Sequence, residues 1–208
     1  MASVVTSRAV WFSRSRAWIS ILLLTPVVVL AIFSVPHWPI DSWTTLWVEC
    51  LGWSLFFAGA AMRWWATLYI GGRKCYELIC HGPYSLCRNP LYFGTLLMTL
   101  ATAVLMQSLS FVLMMVVVSY FYLHVTVPVE ERYLRERHGA AFEEYCHRVP
   151  RFWPNWQRYQ SPEVIEVRVA GLQAELIRTL RWVWIPVVCH LLTHLRSQDS
   201  WPHWATLP

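Results

Sequence analysis

Charge is scarce in this chain. Asp, Glu, Lys and Arg make up 14% of its 208 residues, against roughly 25% in an ordinary soluble domain. So few ions exclude an intrinsically disordered chain and argue against a soluble enzyme with one hydrophobic core. Other signatures are missing as well. The six cysteines (Cys50, Cys75, Cys80, Cys87, Cys146, Cys189) contain no CxxC pair and no zinc-ribbon spacing, so all six read as free thiols and no structural disulfide is implied. There is no Gly-rich loop after a strand, no stretch that reads as a βαβ unit, no internal repeat and no low-complexity segment. What the chain has in abundance is apolar. Hydrophobic residues reach 56% and tryptophan fourteen, with a mean hydropathy of +0.38, and indole favours the membrane interface. The composition is that of an integral membrane protein, and its apolar runs make the expected fold all-α with about four transmembrane helices.

The net charge of +5 does not point to nucleic acid, because the basic residues flank apolar runs instead of forming one stripe. Four runs predict transmembrane helices: Trp18 to Phe33, Trp43 to Met62, Leu91 to Met106 and Leu109 to Val127. Three arginines precede the first run, as in a signal peptide, but no small-x-small cleavage site follows it. The Gln107-Ser108 turn between the third and fourth runs is short enough to force an antiparallel hairpin. Pro36 and Pro39 close the first run, Pro90 opens the third and Pro128 follows the fourth. All seventeen basic residues lie in the N-terminal segment, between Arg63 and Arg88, or from Arg132 onward. The loop 34–42 and the hairpin turn have none, so the positive-inside rule predicts that both termini are cytoplasmic. Glu130 to Cys146 reads as surface helix, or as two helices joined near His138-Gly139. Glu163 to Arg196 reads as a further helix, amphipathic and then apolar. Its apolar part is short and holds Pro186, so a surface-lying or re-entrant course is expected and a fifth span is possible. The chain thus divides into a membrane domain, 1–154, and a C-terminal helical tail, 155–208.

Two segments carry polar groups where they are costly. His81-Gly82-Pro83-Tyr84-Ser85-Leu86-Cys87-Arg88-Asn89-Pro90-Leu91-Tyr92-Phe93-Gly94 marks the junction of a cytoplasmic loop with a membrane helix, where tyrosines, arginine and asparagine need a ligand or partners. The plain alternative is a Pro-initiated helix with Arg88 snorkelling to phosphates. The second segment begins at Glu130-Glu131-Arg132 and ends at Phe142-Glu143-Glu144-Tyr145-Cys146-His147-Arg148-Val149-Pro150-Arg151. A solvated helix face with i,i+4 pairs such as Glu131 to Arg135 accounts for most of it. Glu130, two residues after Pro128 at the base of an apolar span, does not fit that account.

Together the segments resemble the isoprenylcysteine carboxyl methyltransferases and their bacterial relatives. The correspondence is carried by Gly82-Pro83-Tyr84, Arg88-Asn89-Pro90-Leu91-Tyr92-Phe93-Gly94, a helical hairpin, Glu130-Glu131, and Phe142-Glu143-Glu144-Tyr145 running into Arg148-Val149-Pro150. It covers roughly residues 43 to 154. The resemblance implies S-adenosylmethionine as methyl donor, held on the cytoplasmic side under a lid of surface helices. By position it assigns cofactor contacts to Tyr84, Arg88, Asn89, Tyr92 and Glu130, and to backbone around Leu78 and Ile79. Tyrosine faces suit a sulfonium cation, and a carboxylate suits the donor's ammonium or ribose hydroxyls.

Two positions depart from the family pattern. Asn89 stands for a histidine, and Thr126 for an arginine that orients the substrate carboxylate. Arg148, with Arg151 and Arg88 as alternatives, is the candidate to take over that arginine's part. Glu130 has a binding role first. It becomes a base only if the acceptor is an amine or thiol, because a carboxylate acceptor has no proton to lose. The implied partners are membrane lipid and a lipophilic or prenylated substrate entering between the third and fourth spans, and no nucleic acid. The alternatives are a phospholipid, amine or thiol methyltransferase of the same build, a non-enzymatic scaffold, and a nicotinamide-dependent reductase. His190 and His194 sit at i,i+4 beside Cys189, but the Glu of HExxH is missing and no third ligand is evident. They read as part of an interfacial helix, with no metal. His124 reads as a partner for a neighbouring helix, Gly71-Gly72 as a hinge, and Trp11, Trp18, Trp38, Trp43 and Trp47 as an interface belt.

Overall fold

The computed structural model describes residues 25–26, 28–36, 43–70 and 77–204, and among them every regular element is helical. Half of the first expected span lies outside these residues, as do Trp11, Trp18, Trp38, Cys75 and Gly71-Gly72. Residues 28–32 of that span are helical. Helix α1 runs from Trp43 to Ile70, two turns beyond the expected Met62, and a short α2 covers Pro83–Leu86. Helices α3 (Pro90–Met106) and α4 (Leu109–Phe121) form the expected hairpin, with Gln107 in the left-handed conformation at the turn (φ 47°).

Pro128 does not end the fourth helix. The residue lacks an N–H and its ring crowds the carbonyl one turn back, which would break an α-helix. Here a π-turn over Tyr122–Thr126 widens the helix just before it, a known way to absorb such a defect. The chain continues as α5 (Val127–His138), bends at Gly139 with φ 52°, and forms α6 (Ala140–Arg148). The expected break near His138-Gly139 is therefore present. Glu130 rides on the extension of the fourth span and not on a separate surface helix.

The tail departs from the surface-lying or re-entrant expectation. Helices α7 (Val169–Trp182) and α8 (Trp184–Arg196) join end to end into one 28-residue helix. At a rise of 1.5 Å per residue such a helix is about 42 Å long. Among the described residues it is one of three helices long and apolar enough to cross a membrane; the others are Trp43–Ile70 and Leu109–His138, and Pro90–Met106 is shorter but apolar. The polar face that looked interfacial packs inward. Glu175 meets Arg63, and Thr193 Oγ1 donates to the Leu105 carbonyl at 2.9 Å. The tail is thus continuous with the core of the membrane domain.

Backbone contact sets the spacing of α1 and α3. A Cβ at Gly59 would lie 2.6 Å from the Gly94 oxygen, and one at Gly94 would lie 2.7 Å from the Gly59 oxygen. This is the small-residue approach that membrane helices use where lipid offers no hydrophobic drive. It explains the glycine that closes the first motif. Phe56, Ala60, Met98 and Ala101 are packed around the crossing.

Arg196 closes the far end of the bundle. Fully buried, it donates to the Ser34 carbonyl at 2.8 Å and to the Met106 carbonyl at 2.9 Å, satisfying an orphan group at the end of α3. Trp204 stacks on Phe33 with centroids 4.0 Å apart. Residues 196–204 therefore lie at the opposite end of the bundle from Arg88, Glu130 and Arg151. Arg196, counted at the level of sequence among the basic residues of the cytoplasmic side, is a buried cap, and the expectation that both termini share that side falls on residues 1–24 and 205–208, outside the described residues.

Candidate functional site

The first motif is built around a glycine that only glycine can supply. Gly82 has φ 61°, and a Cβ there would come within 2.3 Å of the Tyr69 ring. Its N–H donates to the Gln160 carbonyl at 2.6 Å, and Ser85 Oγ donates back to the Gly82 carbonyl at 2.7 Å. The second motif locks onto this turn. Tyr145 donates its hydroxyl to the Tyr84 carbonyl at 2.7 Å, and the Arg88 N–H donates to the Pro150 carbonyl at 2.8 Å. Phe142, Tyr145 and Val149 form the buried cluster beneath, with Leu78 and Cys80 at its edge.

The two adjacent glutamates part company. Glu131 is buried and takes a fork of hydrogen bonds from Arg151, with Nε 3.1 Å from Oε2. Asn89 Nδ2 donates to the same carboxylate at 3.2 Å, and Arg88 Nε lies 3.7 Å away. The pair expected with Arg135 is not formed, because Arg135 turns to Glu143 instead. Glu131 is thus the knot between the two motifs, and it consumes both Arg151 and the amide donor of Asn89. Glu130 points the other way and accepts the hydroxyl proton of Tyr92.

Between these walls lies a cavity of about 430 Å³, within the size range of small-molecule sites. Leu78, Ile79, Tyr84, Arg88, Asn89, Tyr92 and Glu130 all line it. Two buried polar atoms in its wall, Tyr84 Oη and Arg88 Nε, have no hydrogen-bond partner among the described residues. Such atoms are costly unless a ligand meets them. Burial, and next the charge of Glu130, holds the Tyr84 hydroxyl well above the usual phenol range, so it remains a neutral donor. Burial also pushes the Cys87 thiol up to about 12 and raises that of Cys80, which makes both poor nucleophiles. The five described cysteines are free thiols.

Arg148 is not brought to this cavity. It is exposed, lies 3.7 Å from Glu144, and lines a second hollow beyond Tyr145 with Cys80, His81 and Gln160. Thr126 is the last residue of the π-turn. His124 finds its ring partner on its own helix, with Tyr120 4.1 Å away between centroids.

Besides Arg88, the arginines that reach the cavity are Arg63 of α1 and Arg178 of α7. Arg63 is buried, with Nε 2.6 Å from Glu175 and Nη1 2.6 Å from Thr95 Oγ1, and its guanidinium sits 5.0 Å above the Trp182 ring. The sequence reading missed Arg63, Glu175, Arg178 and Trp182. Glu175 gave little signal, because Arg178 three residues on supplies an i,i+3 partner that reads as a solvated helix face. Two apolar hollows adjoin the cavity. One runs between α3 and α4 past Leu96, Val118 and Leu123, the other toward α8 past Phe56, Met98 and Ile185, and both share Thr95 and Tyr122 with the main cavity's wall.

Comparison with known proteins gives a consistent picture. A family model described as phospholipid methyltransferase matches residues 47–141. The nickel-cobalt-cadmium resistance protein NccN of Alcaligenes xylosoxydans xylosoxydans is 26% identical over 201 residues, which is 95% of this chain and 92% of that protein. The cobalt-zinc-cadmium resistance protein CzcN of Cupriavidus metallidurans is 30% identical over 186 residues, 88% of this chain and 84% of that one. Protein-S-isoprenylcysteine O-methyltransferase B of Arabidopsis thaliana is 24% identical over 162 residues, covering 72% and 78%. No solved structure matches.

Proposed function

Because the chain belongs to the phospholipid and isoprenylcysteine methyltransferase family of integral-membrane proteins, we propose that it transfers a methyl group from S-adenosylmethionine to a lipophilic acceptor. The observation that carries this reading is the cavity that all seven residues assigned to the cofactor line, with apolar hollows leading from it into the bundle. The donor set fits the cofactor. Two carboxylates, Glu77 and Glu130, and four tyrosines line one space, and the Tyr84 hydroxyl in its wall makes no hydrogen bond among the described residues, which suits a ligand bearing an ammonium, hydroxyls and a carboxylate. The cofactor, when bound, supplies an electrophilic methyl on a sulfonium.

The chain's own contribution is alignment and exclusion of water, which an in-line displacement chiefly requires. Tyr92 fixes the Glu130 carboxylate, which holds the ammonium or the ribose hydroxyls. Tyr92 and Tyr122, edge to face at 5.4 Å, offer aromatic surface to a cation. Arg63 and Arg178 stand where an anionic acceptor group would be oriented, in place of the arginine that Thr126 lacks. A carboxylate acceptor needs no base. For an amine or thiol acceptor, Glu130 takes the proton and passes it to water. The acceptor's apolar chain lies in the groove between α3 and α4. The basic loops favour a cytoplasmic position for this end of the bundle by the positive-inside rule, and with α7–α8 as a span this reading puts residues 196–204 on the opposite side.

Calorimetry of S-adenosylmethionine against the purified chain in lipid nanodiscs tests the reading, followed by transfer of labelled methyl to prenylcysteine, phospholipid-amine and alkyl-thiol acceptors. Saturable binding that Glu130→Ala abolishes is expected. A folded wild type that binds no S-adenosylmethionine refutes it.

A further inference from the structure

Helices α1 and α8 meet again at the end of the bundle opposite the cavity. Glu49 lies on the second turn of α1, while His190 and His194, four residues apart, share one face of α8. His194 Nε2 is 2.9 Å from Glu49 Oε1, and His190 Nδ1 is 3.9 Å from the same oxygen. One ligand atom from each residue lies within 4.8 Å of the other two. The two rings stand 4.7 Å apart at 62°, and Trp53 packs edge-on to His190 at 6.2 Å. Ligands on tetrahedral zinc, with bonds of about 2.0–2.1 Å, sit about 3.3 Å from one another. The observed 2.9 and 3.9 Å bracket that spacing.

We propose that Glu49, His190 and His194 form a binding site for a divalent transition-metal ion, with Zn2+ the best match. A hydrogen bond between Glu49 and His194 does not explain the whole arrangement. His190 Nδ1 is buried with no hydrogen-bond partner among the described residues, and an acid within an apolar span is costly unless something engages it. A cation meets both requirements at once. Two imidazoles and one carboxylate suit zinc, cobalt or nickel, whereas calcium and magnesium want more oxygen ligands and cuprous copper wants sulfur. Three protein ligands leave a fourth position for water. The site is reachable, because the side chains of His190, His194 and Glu49 are 30%, 41% and 18% exposed. It shares no residue with the cavity, so it stands or falls independently of methyl transfer. The sequence hid it because Glu49 lies 141 residues before His190. Occupancy would pin α8 to α1, and with it the tail that carries Glu175 and Trp182 to the cavity.

The test uses the full chain in detergent, free of any histidine tag, stripped with a chelator and then titrated with Zn2+ or Co2+. One equivalent per chain is expected, with a rise in unfolding temperature and the cobalt absorption of a tetrahedral nitrogen–oxygen site. Glu49→Gln and the double variant His190→Gln/His194→Gln should weaken binding by more than the roughly 10–100-fold that loss of an outer-shell partner costs. Glu130→Ala should leave it unchanged. A folded, stripped wild type that takes up no ion overturns the proposal, as does uptake unaltered in the folded variants. Should the variants fail to fold, the wild-type cobalt spectrum decides, and a thiolate charge-transfer band, pointing to Cys189 or another cysteine, is equally fatal.

Discussion

Removing the Glu175 carboxylate tests how the tail is held to the membrane domain. In Glu175→Leu the Arg63 guanidinium stays buried without its counter-ion, since the two side chains are 9% and 2% exposed. Breaking a buried pair from one side costs about 3–5 kcal/mol, because the remaining charge is uncompensated. Arg63 retains Thr95 Oγ1 at 2.6 Å, the Leu91 carbonyl at 3.2 Å and the Trp182 ring, which puts the loss at the lower end, near 3 kcal/mol. Arg178 also loses Glu175 but is half-exposed and contributes little. For a chain of this size 1 kcal/mol is worth about 2–4 °C, so the unfolding temperature in detergent should fall by about 6–12 °C. The double variant Arg63→Met/Glu175→Leu replaces both charges with apolar groups of similar reach and should recover most of that fall. A single variant as stable as the parent would show that α7 is not anchored by this pair. A double variant no better than the single would assign the loss to packing and refute the electrostatic argument.

Gly94→Ala should lower stability by about 1–3 kcal/mol, the usual cost of overpacking, because the new methyl meets the Gly59 carbonyl at 2.7 Å and backbone cannot step aside as a side chain can; an unchanged unfolding temperature would contradict the close crossing of α1 and α3. Tyr92→Phe removes the donor to Glu130 and, at the 1–3 kcal/mol of a buried charged acceptor left unmade, should raise the dissociation constant for S-adenosylmethionine by about 5- to 150-fold with little change in fold; calorimetry that shows equal affinity would remove Tyr92 from the site. Single cysteines placed by Glu136→Cys and Trp204→Cys, with the native thiols replaced, should label with an impermeant maleimide from opposite faces of sealed vesicles. Labelling from one face would take α7–α8 out of the membrane.

The parts of the fold that the sequence announced are those where one local rule decides. The hairpin at Gln107-Ser108, the start of α3 at Pro90 and the bend at Gly139 each follow from a turn length, a proline or a glycine read in place. The candidate site was legible for the same reason. Its lining residues come from two short segments whose spacing survives in a single chain, and folding only had to bring Tyr92 under Glu130. Reading the proline at 128 by the same rule fails, since a π-turn five residues long can carry a helix through it. Periodicity counts residues per turn and has no term for a turn that is locally wider.

What stayed hidden depends on partners far away in sequence, and the partners change what a residue means. An acid and an arginine on an amphipathic stretch look like a solvated face until their counterparts are known. Glu175 is 112 positions from Arg63, and Arg196 is 162 positions from Ser34. Each is a polar group that an apolar bundle tolerates only when paired, so each, once placed, is stronger support for a packed tail than any run of leucines. The same logic separates Glu130 from Glu131, identical in type and adjacent in the chain. Successive helical positions point about 100° apart, so one carboxylate is spent on Arg151 and Asn89 while its neighbour faces the cavity. The glutamate pair of the motif is therefore two devices, one that holds the fold and one available for chemistry, and substituting them separately distinguishes a loss of structure from a loss of binding.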